Sequence, residues 1–176
     1  MVPARFVNFL RCCSIFFIIA ALAVFPSCRR GTTPGTKPKS GGKTVVPTAE
    51  VSRVLQSAQS FLGTPYRYGG TNKMGIDCSS LTQNAFREAG INLPRSSKEQ
   101  SQAGSPVEKN KLRPGDLLFF SDPKVGSGIT HVGLVTEILP DGDVKFIHSS
   151  SKLGVTENLL SGSYYVKTYA FARRVF

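Results

Sequence analysis

The sequence predicts an α+β domain in which N-terminal helices pack on a central antiparallel sheet. Three observations carry that expectation. Apolar residues recur at helical spacing in two stretches between residues 49 and 89. Runs rich in Val, Ile and Phe follow from residue 116 onward. Two of those runs are joined by Asp141-Gly142, a tight hairpin turn. Helices first and strands later argue against a parallel, alternating architecture. A chain of 176 residues, 40% hydrophobic and 19% charged, has room for one ordinary domain and is not disordered throughout.

Each element has its own local reason. Val51, Val54, Leu55, Ala58, Phe61 and Leu62 place an amphipathic helix over Ala49–Leu62, stopped by Gly63. Residues 64–75 are a loop rich in Gly, Tyr and Pro. Leu81, Ala85, Phe86 and Ala89 define a second helix from Cys78 to Ala89, with Gly90 as its stop. Ser96 and Glu99 have the spacing of a capping box, so a short helix opens there. Pro114-Gly115 turns the chain into a buried strand, Asp116–Ser121, with Asp116 as a turn residue. His131–Leu139 and Asp143–Ser149 are the arms of the hairpin, and Tyr164–Val175 is expected as a last strand. Arg173 and Arg174 are expected as its solvated end.

The first 47 residues stand apart. Arg5 and Arg11 flank a short basic start, and residues 12–25 are almost wholly apolar. That run is too short to span a bilayer, which needs ~20 residues, and has the form of a signal-peptide core over residues 1–27. An uncleaved anchor helix is the alternative. Residues 28–47 are Gly, Thr, Ser and Pro with basic residues and no acid, a disordered tether in composition. The folded domain is expected over residues 48–176.

The chain is strongly basic, with 22 Lys and Arg against 11 Asp and Glu. Seven of the 22 precede residue 48, which leaves 15 basic residues against all 11 acidic ones in the domain. A nucleic-acid-binding domain carries its charge on the folded face, so no nucleic-acid partner is expected. Basic residues in a leader and tether suit anionic headgroups or wall polymers instead.

Of four cysteines, Cys12 and Cys13 leave with the leader and Cys28 begins the tether. Cys78 is left without a disulfide partner, and one thiol with two histidines is a poor zinc site, so no metal or cofactor is expected. Cys78 opens a helix, where unpaired amides and the helix dipole favour a thiolate. Its Asp-Cys-Ser-Ser setting argues against burial as a small hydrophobe. The two histidines, His131 and His148, fall at adjacent strand ends of the hairpin. One can exchange a proton with Cys78 while the other orients it. Asp77 could simply cap the Cys78 helix.

The motifs Tyr66-Arg67-Tyr68-Gly69-Gly70, Gly75-Ile76-Asp77-Cys78-Ser79-Ser80-Leu81, Leu93-Pro94-Arg95-Ser96-Ser97, Gly115-Asp116-Leu117-Leu118-Phe119-Phe120, His131-Val132-Gly133-Leu134-Val135 and Phe146-Ile147-His148-Ser149 stand in this order. Together they resemble the NlpC-type papain-like cell-wall peptidases over roughly residues 51–175. The resemblance implies the papain-like fold and a Cys78, His131, His148 triad. It implies that Tyr66 lines the site near the oxyanion, and that Asp77 and Ser79 help hold the free amino end of a stem peptide. One departure is Ser80, where the family usually has Gly. A side chain there would narrow the groove or perturb packing.

The family cleaves peptides of peptidoglycan, commonly between γ-D-glutamate and a diamino acid. The expected activity is therefore a thiol endopeptidase on peptidoglycan stem peptides. Cleavage of the crosslink and a non-catalytic wall-binding lipoprotein are the alternatives. Acyltransferases on a permuted version of the fold place His before Cys, the reverse of the order here. Phe25-Pro26-Ser27-Cys28 resembles a bacterial lipobox with Phe in place of the usual Leu. It implies acylation of Cys28 and membrane attachment in the cell envelope. Arg29 is not the aspartate that retains enteric lipoproteins at the inner membrane, so the expected site is the outer membrane, facing the periplasm. A monomer is expected.

Overall fold

A computed structural model describes residues 47–176. The expected signal peptide, the Cys28 lipidation site and all of the tether but Pro47 lie outside the described residues. The element order is α1 (Ala49–Gln59), β1 (Thr71–Asn72), β2 (Gly75–Ile76), α2 (Cys78–Arg87), α3 (Ser97–Gln100), β3 (Ser105–Val107), a 3-10 turn (Lys109–Lys111), β4 (Leu117–Phe120), β5 (His131–Ile138), β6 (Val144–Ser150), β7 (Gly154–Leu159), α4 (Ser163–Thr168) and β8 (Tyr169–Arg174). Six strands form one antiparallel sheet in the order β3-β8-β4-β5-β6-β7. β1 and β2 form a separate two-stranded hairpin.

The sheet has two apolar faces because successive side chains of a strand alternate. Leu117, Phe119, Val132, Leu134 and Ile147 point to one face, where α1 and α2 bring Val54, Ala58, Leu81 and Phe86. Leu118, Phe120, Val135, Phe146 and Ala172 point to the other, where Leu160 and Tyr165 close over them. Each fully buried Leu or Phe contributes roughly 2–3 kcal/mol by leaving water.

Local signals hold closely in the first half. Thr48 caps α1 by accepting from Val51 N, and Ser96 with Glu99 forms the capping box on α3. Both longer helices stop short of expectation: α1 ends at Gln59 and passes into turns, and α2 ends at Arg87.

The last expected strand differs most. Residues 163–168 are the helix α4, and only Tyr169–Arg174 is strand. Tyr164 and Val166 alternate as a strand would, yet both are exposed. The buried contact is made by Tyr165, whose ring packs edge-on against Phe120 and Phe146. That packing overrides β-propensity. The terminal arginine is also not solvated: Arg174 reaches back to the buried Asp116 with Nε–Oδ1 at 2.7 Å and Nη2–Oδ2 at 2.8 Å. Asp116 also accepts from Arg113 N, which is its turn role.

Candidate active site

Cys78 is the first residue of α2, and Asp77 before it is the N-cap. Asp77 has a far fuller set of partners than a cap needs. Its Oδ1 accepts from Ser80 N at 2.8 Å, Ser79 Oγ at 3.1 Å and Arg95 Nη1 at 3.0 Å. Its Oδ2 accepts from Gly69 N at 3.0 Å and Arg95 Nη2 at 2.5 Å. Burial alone would raise the Asp77 pKa, but the bonds from Arg95 and the Ser80 amide outweigh it and hold the carboxyl below its ordinary range. A carboxylate offers about four lone-pair directions, and these are filled. Ser79 is engaged likewise: its hydroxyl donates to Asp77 and accepts from Arg95 Nη1 at 2.9 Å. In this arrangement Asp77 and Ser79 form a cap and ion-pair core rather than a vacant cradle for an ammonium group.

The loop before α2 is drawn in by the same carboxylate. Tyr66 pairs with Ile76 in an isolated bridge, and burial, with the negative charge of nearby Asp77, raises its pKa. Gly70 is needed for close approach, since a Cβ there would sit 2.3 Å from Gly75 O. Tyr68, by contrast, is 91% exposed and packs on no core edge.

Cys78 departs from its expected setting. It is 9% exposed and belongs to the apolar cluster between the helices and the sheet. Burial pushes its thiol up to about 11, although the amides of Val132, Ser79 and Cys78 itself work in the opposite direction. The resting group is the neutral thiol, not the thiolate that a helix start by itself favours. Ser80 is fully buried, so it does not narrow a groove, and its hydroxyl has no hydrogen-bond partner among the described residues.

His131 opens β5 and His148 lies near the end of β6. The β5–β6 register pairs Leu134 with Ile147, which sets His148 opposite Gly133 and on the same face as His131. His131 Nε2 and His148 Nδ1 are 2.8 Å apart, with the two rings perpendicular. Gly133 is required between them: a Cβ there would strike the Phe146 ring at 2.6 Å. Burial and the neighbouring His148 push His131 down to about 3, and burial lowers His148 as well. Both rings are therefore neutral at rest.

The histidines stand on the Phe120 and Phe146 face, opposite the one that carries Cys78. His131 is the first residue of β5, so it stands at the end of the sheet. Val132, the residue after His131, packs in the same apolar cluster as Cys78, and its amide works to lower the thiol's pKa. His131 Nε2 is occupied by His148, so Nδ1 is the nitrogen left for the thiol. The structure thus groups Tyr66, Asp77, Cys78 and Ser79 around the start of α2 and His131 with His148 on the hairpin. The two groups are joined through Val132, which shares the apolar cluster of Cys78, and through the bond from Ser149 Oγ to Ile76 O.

Chemically, a thiol at a helix N-terminus and an imidazole oriented by a second one are the groups that nucleophilic catalysis with a general base requires. The charged forms of Cys78 and His131 are each disfavoured by burial. Proton transfer between them makes both charges at once and leaves the site's net charge unchanged, so the ion pair forms as a unit when substrate excludes water.

Residues outside the expected set complete the site. Arg95 stood in a quoted motif without a role. Ser149, one residue past His148, donates from Oγ to Ile76 O. Asn158 and Tyr165 contact His148 from β7 and α4, and neither carried a signal in the sequence. Among the described residues, no group of three or more His, Cys, Asp or Glu side chains is placed to hold a metal ion.

Comparisons with known proteins show what the chain resembles. The murein DD-endopeptidase MepS/murein LD-carboxypeptidase of Escherichia coli (strain K12) is 40% identical over 125 residues, which is 70% of this chain and 62% of that protein. The match thus spans about three fifths of that relative's length. A γ-D-glutamyl-L-lysine dipeptidyl-peptidase of Bacillus cereus is 35% identical over 130 residues, 73% of this chain and 38% of that protein. The crystal structure of an NlpC/P60 family protein from Bacillus cereus ATCC 10987 superposes with a TM-score of 0.64 at 35% identity, covering 73% of this chain and 41% of that one. The model of the NlpC/P60 family matches residues 63–174. With its papain-like fold, the chain belongs to the NlpC/P60 family.

Proposed function

We propose that the protein is a cysteine endopeptidase that hydrolyses peptide bonds of peptidoglycan. The observation that carries this reading is the ordered pair His131 and His148, joined at 2.8 Å, in a domain whose single described cysteine, Cys78, opens a helix. Cys78 Sγ attacks the scissile carbonyl carbon while its proton passes to His131 Nδ1. His131 returns that proton to the departing amine, leaving a thioester on Cys78. Water then attacks the thioester with His131 again as base, which releases the carboxylate product and restores the thiol. Amides at the start of α2 and the Tyr66 hydroxyl are the groups near the developing oxyanion.

The hydrogen bonds of Asp77 bear on the choice of scissile bond. A stem-recycling enzyme that cuts after γ-D-glutamate was expected to hold a free amino terminus on Asp77 and Ser79. With Asp77 already accepting from five donors, that anchor is taken. We therefore favour cleavage of the crosslink between stems, the activity named for the Escherichia coli relative. The name of the Bacillus cereus relative keeps the γ-D-glutamyl bond as the second reading. Attachment through an acylated Cys28 fits the first reading, because it holds the enzyme against intact wall. In this proposal the protein is a monomer on the outer membrane, faces the periplasm and has no nucleic-acid partner.

The test is digestion of purified sacculi with identification of fragments by mass. Conversion of crosslinked dimers to monomers by the wild type, and none by Cys78→Ser, is the expected result. Fragments broken between γ-D-glutamate and the diamino acid would select the second reading. No cleavage of either bond would end the enzyme assignment.

A further inference from the structure

His148 has two polar neighbours that the reaction as written does not use. Its Nε2 lies 2.9 Å from Asn158 Oδ1 and 3.0 Å from the Tyr165 hydroxyl. The same hydroxyl donates to Asn158 Oδ1 at 3.0 Å, which closes a triangle. A carbonyl oxygen has no proton to give, so the proton at this corner sits on His148 Nε2. A neutral imidazole carries one N–H, and His148 Nδ1 is then a lone pair. The 2.8 Å contact must be donated by His131 Nε2–H. His131 in turn keeps its lone pair on Nδ1, the form able to take a proton from Cys78. Each tautomer dictates the next, starting from Asn158.

We propose that Asn158 and Tyr165 are positioning residues that set this proton order, fixing the tautomers of both histidines so that His131 faces Cys78 as a base. The consequence for rate rests on the endopeptidase reading above; the tautomers themselves do not. Other groups around His148 do not supply the same instruction. Among the described residues, the titratable groups that face it are His131 from β5 and Tyr165 from α4. β4 and the rest of β6 contribute Phe120 and Phe146, which pack on the histidine rings without polar contact.

Three substitutions test the proposal. Tyr165→Phe removes only the hydroxyl and keeps the ring against Phe120 and Phe146. Asn158→Leu keeps the volume and removes the acceptor. Asn158→Asp keeps the acceptor and adds a charge. Nitrogen NMR of labelled histidine in the full chain reports the tautomers without any substrate. In the wild type, His148 should carry its proton on Nε2, and in Asn158→Leu that preference should be lost. On crosslinked muropeptides, Asn158→Leu should lower kcat about tenfold or more with KM unchanged, because a mis-set tautomer spoils the base and not binding. Tyr165→Phe should lower kcat less.

Asn158→Asp should restore kcat near neutral pH and move the acidic limb of its pH profile upward by about one unit. The added carboxylate favours protonated His148, which would then donate from Nδ1 and turn the His131 tautomer over. A role confined to packing would lower activity equally at all pH values and leave the limb in place. Wild-type kcat and unchanged histidine shifts in Asn158→Leu overturn the proposal, as does an unmoved limb in Asn158→Asp. If the wild type cuts no wall peptide, the endopeptidase reading fails, and the nitrogen shifts alone then decide the tautomer assignment.

Discussion

Ser149 donates a hydrogen bond of 2.8 Å to the carbonyl oxygen of Ile76, a residue 73 positions earlier in the chain. Ser149 follows His148 on β6, and Ile76 stands two residues before Cys78. The bond therefore joins the strand of the orienting histidine to the segment that delivers the thiol. Because Ser149 alternates with His148, it points to the helix face while His148 points to the other. The two halves of the site are clamped through the sheet rather than across an open groove.

Removing that clamp should affect both stability and rate. Ile76 O also accepts from Arg67 N, so Ser149→Ala does not orphan the carbonyl. The expected loss is about 1 kcal/mol in urea denaturation, with a several-fold fall in kcat and little change in KM. Full activity in Ser149→Ala would show that the thiol is placed without it.

The two histidines should not be equivalent. In the proposed mechanism His131 exchanges the proton itself, whereas His148, 2.8 Å from it, acts through His131. His148→Ala should therefore retain more activity than His131→Ala, by about tenfold or more if unequal triad deletions elsewhere are a guide. The check is kcat on muropeptide dimers for each variant. Wild-type rates in both would dismantle the triad.

Acid should weaken the fold. The His131 pKa is about 3 in the folded state against an ordinary 6.5. Between those values the unfolded chain binds a proton that the folded one does not, so stability is fully present above about pH 6.5 and is lost as pH falls toward 3. His148 is lowered in the same direction. Asp77, held below its ordinary range mainly by Arg95 against the opposing effect of burial, adds a further loss at lower pH still. Urea midpoints measured from pH 8 to pH 4 should fall steadily below 6.5, and His131→Gln should flatten that fall. A flat wild-type profile would refute it.

Ser80 offers a test that touches no catalytic group. Its buried hydroxyl has no partner among the described residues, and it lies in the first turn of α2. Ser80→Ala removes the unsatisfied group and improves helix propensity, so it should stabilise the domain by about 1 kcal/mol. Thermal melting would register this as a rise of several degrees in Tm. A lower Tm would mean that the hydroxyl is satisfied in solution.

Cys28 governs location in the proposed scheme. Cys28→Ala should move the protein from the membrane to the soluble periplasmic fraction, and wild-type protein should incorporate labelled fatty acid. Retention of Cys28→Ala in the membrane would instead identify the apolar run of residues 12–25 as the anchor.

What could be read from the sequence was local. Helical periodicity, the Ser96–Glu99 capping box and the Asp141-Gly142 turn depend on neighbours within a few residues, and each appears as expected. So does the placement of Cys78 at a helix start and of both histidines on one hairpin. The rest depended on partners far along the chain. Arg95 fills Asp77 from 18 residues away, Arg174 pairs with Asp116 from 58, and Tyr165 reaches His148 only because α4 folds over Phe120 and Phe146. Burial of Cys78, and with it the neutral state of the thiol, was equally invisible, since a polar Asp-Cys-Ser-Ser motif says nothing about the sheet that packs over it. A residue's type and spacing fix which local structure it favours. Only the closed tertiary structure decides which water-exposed groups lose their water, and it is that loss which sets charge, tautomer and partner at this site.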